Sequence, residues 1–357
     1  MRLLQLYSES DPSPEQVKSY LKHLDKELRQ IKFNNPVKTI YFGGGTPSLL
    51  ACDDLQQLLN SVKSAVLSNN DTEITMECNP ETLDQKRLDI ISREVNRISI
   101  GIQAFDTEMR SRLGRISNSK HIESALDSLK NRKFENVSID LIYGIPGQTL
   151  KDWRNELKMT VDAGIKHISC YALTLEEGTA LCESIGHVDP LNDDLSADMW
   201  ELAGEFLQQH GVPRYEVSNY SAPGSECKHN TNIWYGQSYL GLGPAASSFD
   251  GRMRWTQPAS LEQWLNGEPP EKDIIEPEYR LVEIFIIGLR TVRGWNRELW
   301  ESVPLQSALS AKWTSMLGRA LEVKDKFPDL LMVEPDLIAL TPRGLLFWNS
   351  IAEAWME

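Results

Sequence analysis

Short apolar runs alternate with amphipathic helical segments along the first two thirds of this chain, and that rhythm leaves few architectures open. KTIYF, EITMECNP, RISIGIQAF, VSIDLIYGIPG and HISCYALTL each read as a strand. Between them lie helical patterns. One starts at Asp53 with Leu55, Leu58, Leu59, Val62 and Val66 on one face, and LDQKRLDIISRE, TEMRSRLG and HIESALDSLKN follow. A further helix enters at Thr149, carries Trp153, Leu157 and Val161, and stops at Gly164. Ahead of the first strand, Ser13-Pro14-Glu15-Gln16 offers an N-cap serine, a proline at the first helical position and a glutamine three residues after the cap. A long helix, LSADMWELAGEFLQQHG, precedes RYEVSNY. Strands that alternate with helices in this way form a parallel sheet with helices outside it, so the fold class is α/β.

Each strand closes on a polar or glycine-bearing end: GGGTP, ECNP, GIQAF, LIYGIPG, YALTLEEG. In a parallel barrel the C-terminal strand ends form the active-site face. Gly and Pro punctuate ordinary loops too, but five such ends in succession favour a functional rim. The sharpest is TIYFGGGTPSLL, Thr39 to Leu50, where three glycines in a row imply close approach to the backbone at Gly43, Gly44 and Gly45. A dinucleotide turn fits poorly, because the pattern is not G-x-G-x-x-G and Pro47 delays the helix. A Walker phosphate loop is excluded, since no G-K-[ST] follows.

The formal net charge of −14 argues against a nucleic-acid partner. No apolar run is long enough to cross a bilayer, and MRLLQLYSESDPSPEQ lacks the pattern of a secretory signal, so the reading is a cytoplasmic protein with no integral membrane segment. Five scattered cysteines, Cys52, Cys78, Cys170, Cys182 and Cys227, form no C-x-x-C pair and read as reduced thiols. After Trp255 the texture changes. Residues 1–256 read as a barrel domain and the Pro-rich stretch 257–276 as a linker. Residues 277–357 read as a small α+β, winged-helix-like domain, with a buried helix at YRLVEIFIIGLRTV and a two-strand wing turning at Glu334-Pro335-Asp336.

YFGGGTPSLL, ECNPETL, ISIGIQAFDTEMRSRLGR, IDLIYGIPGQT, YALTLEEGTA, RYEVSNYSAPGSECKHN and YLGLGPAA, in that order, resemble the radical S-adenosylmethionine (SAM) enzymes related to oxygen-independent coproporphyrinogen III oxidase, and among them the haem-chaperone branch. The resemblance runs from about Tyr7 to the C-terminus. It implies a partial parallel (β/α) barrel followed by a small winged domain. It also implies a SAM site: Gly44, Gly45 and Thr46 against the methionine end, Glu77 on its amino group, and Arg115 on its carboxylate. Gln103 and Asp140 would face the ribose, and the Ala172 backbone the adenine. Taken singly, Gln103 and Asp140 also read as rim hydrogen-bonders, and Arg115 as a solvated helix residue.

The family holds a [4Fe-4S] cluster on C-x-x-x-C-x-x-C after its first strand, and this sequence has no such run. LYSES, Leu6 to Ser10, resembles the residues just past the third cysteine, which puts Leu4 at that cysteine's position. Upstream sequence carrying the ligands is the preferred explanation; a cluster-less relative is the other. The remaining cysteines read as small buried thiols, so the cluster has no metal ligands in the chain as printed. As printed, the chain is not expected to perform radical chemistry.

KHNTNIW, Lys228 to Trp234, resembles the branch signature H-N-x-x-Y-W, in which the histidine is a candidate haem-iron ligand and the aromatics can flank a porphyrin. A polar loop histidine is the plain alternative for His229. Ile233 stands in place of the tyrosine, and Ser247 in place of a histidine. Lys228, Arg252 and Arg254 read as surface charges rather than partners for porphyrin propionates. The resemblance therefore implies a haem chaperone that binds haem and passes it to haem-accepting proteins, with an incomplete SAM/[4Fe-4S] site. The alternatives are a coproporphyrinogen III oxidase-type radical SAM enzyme and a cluster-less binding scaffold.

Overall fold

The computed structural model describes residues 12–115, 119–175, 193–303 and 313–356. They group into two units, Met1–Arg214 with Ser218–Glu226, and Tyr215–Val217 with Cys227–Glu357.

The first unit is built on a six-stranded sheet in the order of the chain. Strands β1 (Thr39–Phe42), β2 (Glu73–Cys78), β3 (Arg97–Gln103), β4 (Val137–Tyr143) and β5 (His167–Ala172) run parallel. Strand β6 (Asn219–Ser221) returns antiparallel to β5. The connecting helices are α1 (Pro14–Gln30), α2 (Cys52–Ala65), α3 (Gln85–Glu94), α4 (Thr107–Arg112), α5 (Ser119–Asn131), α6 (Leu150–Asp162) and α7 (Asp193–Gln209). Helix α1 starts as its sequence dictates. The Ser13 hydroxyl accepts from Gln16 N at 3.2 Å, and Ser13 N donates to the Gln16 side chain at 2.8 Å.

Period-two alternation gives this sheet two unlike faces. Met76, Ile98, Ile100, Ile139, Leu141 and Ile168 lie on one face and are fully buried. Leu55, Leu88, Trp153 and Leu157 supply buried apolar side chains from the helices. The opposite face is polar, with Thr75 and Glu77, Arg97 and Ser99, Ser138 and Asp140, His167 and Ser169 at alternate positions. Two rows cross it in register: Glu77, Ser99, Ser138 and His167, then Gly101, Asp140, Ser169 and Asn219. A parallel sheet covered by helices on both faces would be apolar throughout. A polar inner face belongs to a sheet curved around a site.

The second unit contains α8 (Lys228–Trp234), β7 (Ser247–Phe249), β8 (Arg254–Thr256), α9 (Leu261–Leu265) and β9 (Glu271–Asp273). It continues with α10 (Pro277–Gly288), β10 (Trp295–Asn296), α11 (Arg297–Glu301), α12 (Trp313–Lys326), β11 (Leu331–Glu334), β12 (Leu337–Leu340), α13 (Pro342–Leu346) and α14 (Trp348–Met356). Its core is aromatic: Phe285 stacks on Trp295 and Trp355 and meets Trp300 edge-on, with centroids 4.9–5.9 Å apart. The wing is present. Strands β11 and β12 turn at Pro335-Asp336, β10 pairs on the other side of β12, and Thr341 caps α13 by accepting from Gly344 N at 3.0 Å.

The division of the chain differs from the sequence reading. Residues 227–256 group with the second unit, and 257–276 is no bare linker. It holds α9, whose Trp264 is buried, and β9, paired with β8 through Trp255 and Lys272. Proline and charge marked the edges of short elements there, not their absence.

Candidate functional site

Because β1 to β5 are parallel, their C-terminal ends lie along one edge of the sheet, and the candidate residues gather there. Glu77 is the organising group. The Tyr41 hydroxyl donates to Glu77 Oε1 at 2.8 Å, and Gly44 N donates to Oε2 at 3.2 Å. This contact explains two of the three glycines. A Cβ on Gly43 would stand 2.5 Å from Tyr41 Cε1 and 2.8 Å from Glu77 Oε1, so the volume beside Gly43 belongs to the chain's own carboxylate. Gly44 takes φ +88°, a left-handed conformation that turns its N–H toward Glu77. Nothing lies within 4 Å of a Cβ built at Gly44 or Gly45. Gly43 is therefore bare for an internal reason, whereas Gly44 and Gly45 border open space.

Gln103 closes the next side. The register between β3 and β4 slips between Gly101 and Gln103, and Gln103 adopts φ +63°, rare for a residue with a side chain. The bulge folds its amide back over Gly101, where a Cβ would come within 2.5 Å of Gln103 Nε2 and 3.5 Å of Asn79 Oδ1. Asn79 in turn donates to Thr46 Oγ1 at 3.2 Å. Thr46, Asn79, Gly101 and Gln103 are thus joined by side chains from the first three strand ends.

Asp140 lies one residue level deeper. Ser99 Oγ is 3.3 and 3.2 Å from its two carboxylate oxygens. Burial raises the Asp140 pKa, while hydrogen bonds from Ser169 and Ser99 and the charge of Arg97 pull it down. Burial also raises Glu77. The Tyr41 hydroxyl opposes that shift, the Asp140 charge adds to it, and the Gly44 N–H lowers it. Two desolvated carboxylates, with the Asp140 charge disfavouring that of Glu77, make this cup receptive to a cation.

The other two candidates are less engaged. Ala172 ends β5, exposed, with its backbone beside Tyr143. Arg115 is exposed just past α4, and its backbone N–H is bonded to Arg110 O at 2.9 Å. Tyr41, Asn79, Ser99 and Ser169 escaped the sequence reading. Only period-two alternation could have pointed to the two serines, by placing them on the face of Glu77 and Asp140. The loops behind the rim are tied by buried polar side chains. Gln148 Oε1 accepts from Gly144 N at 2.8 Å, and Glu156 accepts the Phe105 and Asp106 N–H groups after β3.

The described cysteines, Cys52, Cys78, Cys170 and Cys227, do not form a cluster site. Among the described residues no group of three or more His, Cys, Asp or Glu side chains could hold a metal ion. Cys78, Cys170 and Cys227 are buried and Cys52 half-buried. Burial pushes the Cys78 thiol up to about 12 and Cys170 higher still, so neither is a thiolate at neutral pH. These thiols do not fit a [4Fe-4S] cluster. Cys182, Leu4 and LYSES lie outside the described residues.

His229 sits half-buried in α8 of the second unit. The helix is held by its C-terminal aromatics. The Arg290 guanidinium stands 4.7 Å over the Trp234 ring, and the Tyr235 hydroxyl bonds Thr291 Oγ1 at 2.9 Å and Gly294 O at 3.2 Å. Trp234 and Tyr235 thus anchor the helix. Ser247 bonds Thr256 across β7 and β8 at 2.8 Å. Arg254 is paired with Glu283 at 2.8 Å and Asp273 at 3.6 Å, which makes it a structural charge.

Known proteins resemble this chain in sequence and in fold. Residues 11–160 match the model of the radical SAM superfamily. The heme chaperone HemW of Escherichia coli K12 is 37% identical over 355 residues, covering 97% of this chain and 90% of that protein. The heme chaperone HemW of Synechocystis sp. is 36% identical over 343 residues, covering 89% and 82%. The structure of coproporphyrinogen III oxidase (HemN) from Escherichia coli, a radical SAM enzyme, superposes with a TM-score of 0.81 at 21% identity, over 96% of this chain and 84% of that one.

Proposed function

The chain belongs to the HemW heme-chaperone family of the radical SAM superfamily, and we propose that it binds SAM in the strand-tip cup of its first unit and haem through His229 of its second. Haem is here the cargo, bound for transfer to haem-accepting proteins.

One observation carries the SAM half: two glycines open to space beside the desolvated Glu77, whose pKa is raised by burial and by the charge of a second desolvated carboxylate, Asp140. SAM brings an ammonium and a sulfonium, and a cation is what relieves the repulsion between Glu77 and Asp140. Glu77 would receive the ammonium, already oriented by Tyr41 and Gly44. The backbone of Gly45 and Thr46 would meet the methionine end, Gln103 and Asp140 the ribose hydroxyls, and the Ala172 backbone the adenine. Arg115 is the candidate for the SAM carboxylate. Isothermal titration of SAM into the full chain tests this half, with Glu77→Gln as the variant; no heat of binding in the unmodified protein defeats it.

The haem half is supported by the KHNTNIW motif and by the HemW relatives being heme chaperones by name. A neutral imidazole is a common axial donor to haem iron. Adding haem should shift the Soret band, and His229→Ala should weaken that shift. An identical spectrum for the two proteins would remove His229 as ligand. Decarboxylation of a porphyrinogen, the enzymatic alternative, needs three thiolates that the described cysteines do not offer, so no step through an iron–sulfur cluster is assigned to them.

A further inference from the structure

A side chain on a sheet face is held mainly by its lateral neighbours. For Asp140 these are Gly101 on β3 and Ser169 on β5. Gly101 has no side chain, and the grip on that side passes to Ser99, whose hydroxyl reaches both carboxylate oxygens. Ser169 bonds the carboxylate from the other side and also lies 2.7 Å from the Asn219 amide oxygen. Asn219 is the register partner of Ser169 on β6. The result is a continuous row across four strands, Ser99, Asp140, Ser169 and Asn219, in which Ser99, Ser169 and Asn219 are buried.

A serine hydroxyl carries one proton, so Ser169 can donate to Asp140 or to Asn219 but not to both. The bond to a carboxylate is charge-assisted and the stronger of the two. A half-turn of the Asn219 amide exchanges its oxygen for its NH2 group, which then donates to Ser169 Oγ and leaves the serine proton to Asp140.

We propose that Ser99, Ser169 and Asn219 are positioning residues for Asp140, fixing its carboxylate toward the ribose hydroxyls of SAM, with Asn219 acting through Ser169. The inference rests on the SAM reading of the cup. It gives RYEVSNY a chemical purpose, because the short antiparallel strand supplies the far end of the row. Tyr41 on β1, Glu73 and Glu77 on β2, Arg97 on β3, and His167 and Tyr171 on β5 are the charged and titratable groups on the same face, and all six are retained in the variants below.

The test follows the Asp140 carboxyl carbon by NMR across a pH titration of the full chain, beside isothermal titration of SAM. Ser99→Ala, Ser169→Ala and Asn219→Asp should each move the Asp140 titration upward, the last by capturing the Ser169 proton and adding negative charge. Each should raise the SAM dissociation constant about tenfold, the worth of one hydrogen bond to a charged group. Ser169→Thr keeps the hydroxyl and should restore both readings toward the parent. An Asp140 titration unmoved in all three variants overturns the proposal even if SAM binding weakens, because the loss would then be one of packing. If the parent binds no SAM while the Asp140 titration shifts, the SAM reading fails and the positioning of the carboxylate stands. Should Ser169→Ala fail to fold, the Ser99→Ala and Asn219→Asp titrations decide.

Discussion

A methyl group is all that separates Gly43 from alanine, and that methyl would compete with the Glu77 carboxylate for one volume. Gly43→Ala should therefore push Glu77 and Tyr41 aside, leave the sheet folded and weaken SAM binding about tenfold by calorimetry. Gly45→Ala meets nothing and should change affinity by no more than about twofold, well under the worth of one hydrogen bond. Equal losses at the two positions would contradict the volume argument. Glu77 itself trades stability for binding. Its folded pKa is raised, so its contribution to stability is greatest at low pH, where it is protonated in both states, and is lost as pH rises through the raised value. At neutral pH the buried charge is thus a burden on the unliganded fold. Glu77→Gln should raise the melting temperature in the absence of SAM and weaken SAM binding together. The Tyr41 hydroxyl can turn to accept from the new amide. A variant less stable than the parent at pH 7 would refute this sign.

The elements were legible where chemistry between near neighbours decides them. Ser13 with Gln16, and Thr149 with Asp152, close capping boxes that a reader of the sequence can place to the residue. Thr149 matters doubly, because it ends the GIPGQT loop from β4 and starts α6, whose Glu156 holds the loop after β3. Thr149→Ala should cost about 1 kcal/mol in denaturant unfolding. An unchanged midpoint would mean the Asp152 side chain alone caps the helix. What escaped the sequence were contacts fixed by register. Ser99 meets Asp140 across 41 positions only because β3 and β4 pair as they do. The bulge that reverses Gln103 leaves no mark in RISIGIQAF. The three glycines imply only a close approach to the backbone, and at Gly43 the neighbour is internal, a distinction that sequence cannot make. The short elements α9 and β9 hid within a proline-rich stretch because three to five residues are too few to show a period.

At the scale of the molecule, the same alternation that builds the cup also governs the thiols. Cys78 and Cys170 belong to the apolar face of the sheet, opposite Glu77 and Asp140, so each sits under helices and not beside the candidate ligand site. Their raised pKa values follow from that placement, because an apolar surround disfavours a thiolate. Cys227 is buried in the second unit, and Cys52 alone of the four described thiols is partly open, at the first turn of α2. Alkylation of the native chain at pH 8, mapped by peptide mass, should therefore reach Cys52 before Cys78, Cys170 or Cys227. Those three should react only on the timescale of unfolding, and denaturant should release them together with loss of the sheet signal. Rapid native labelling of Cys78 or Cys170 would show that the sheet opens, and would return both thiols to contention as metal ligands. Slow labelling means that any iron retained by the native chain is held by groups other than these strand cysteines.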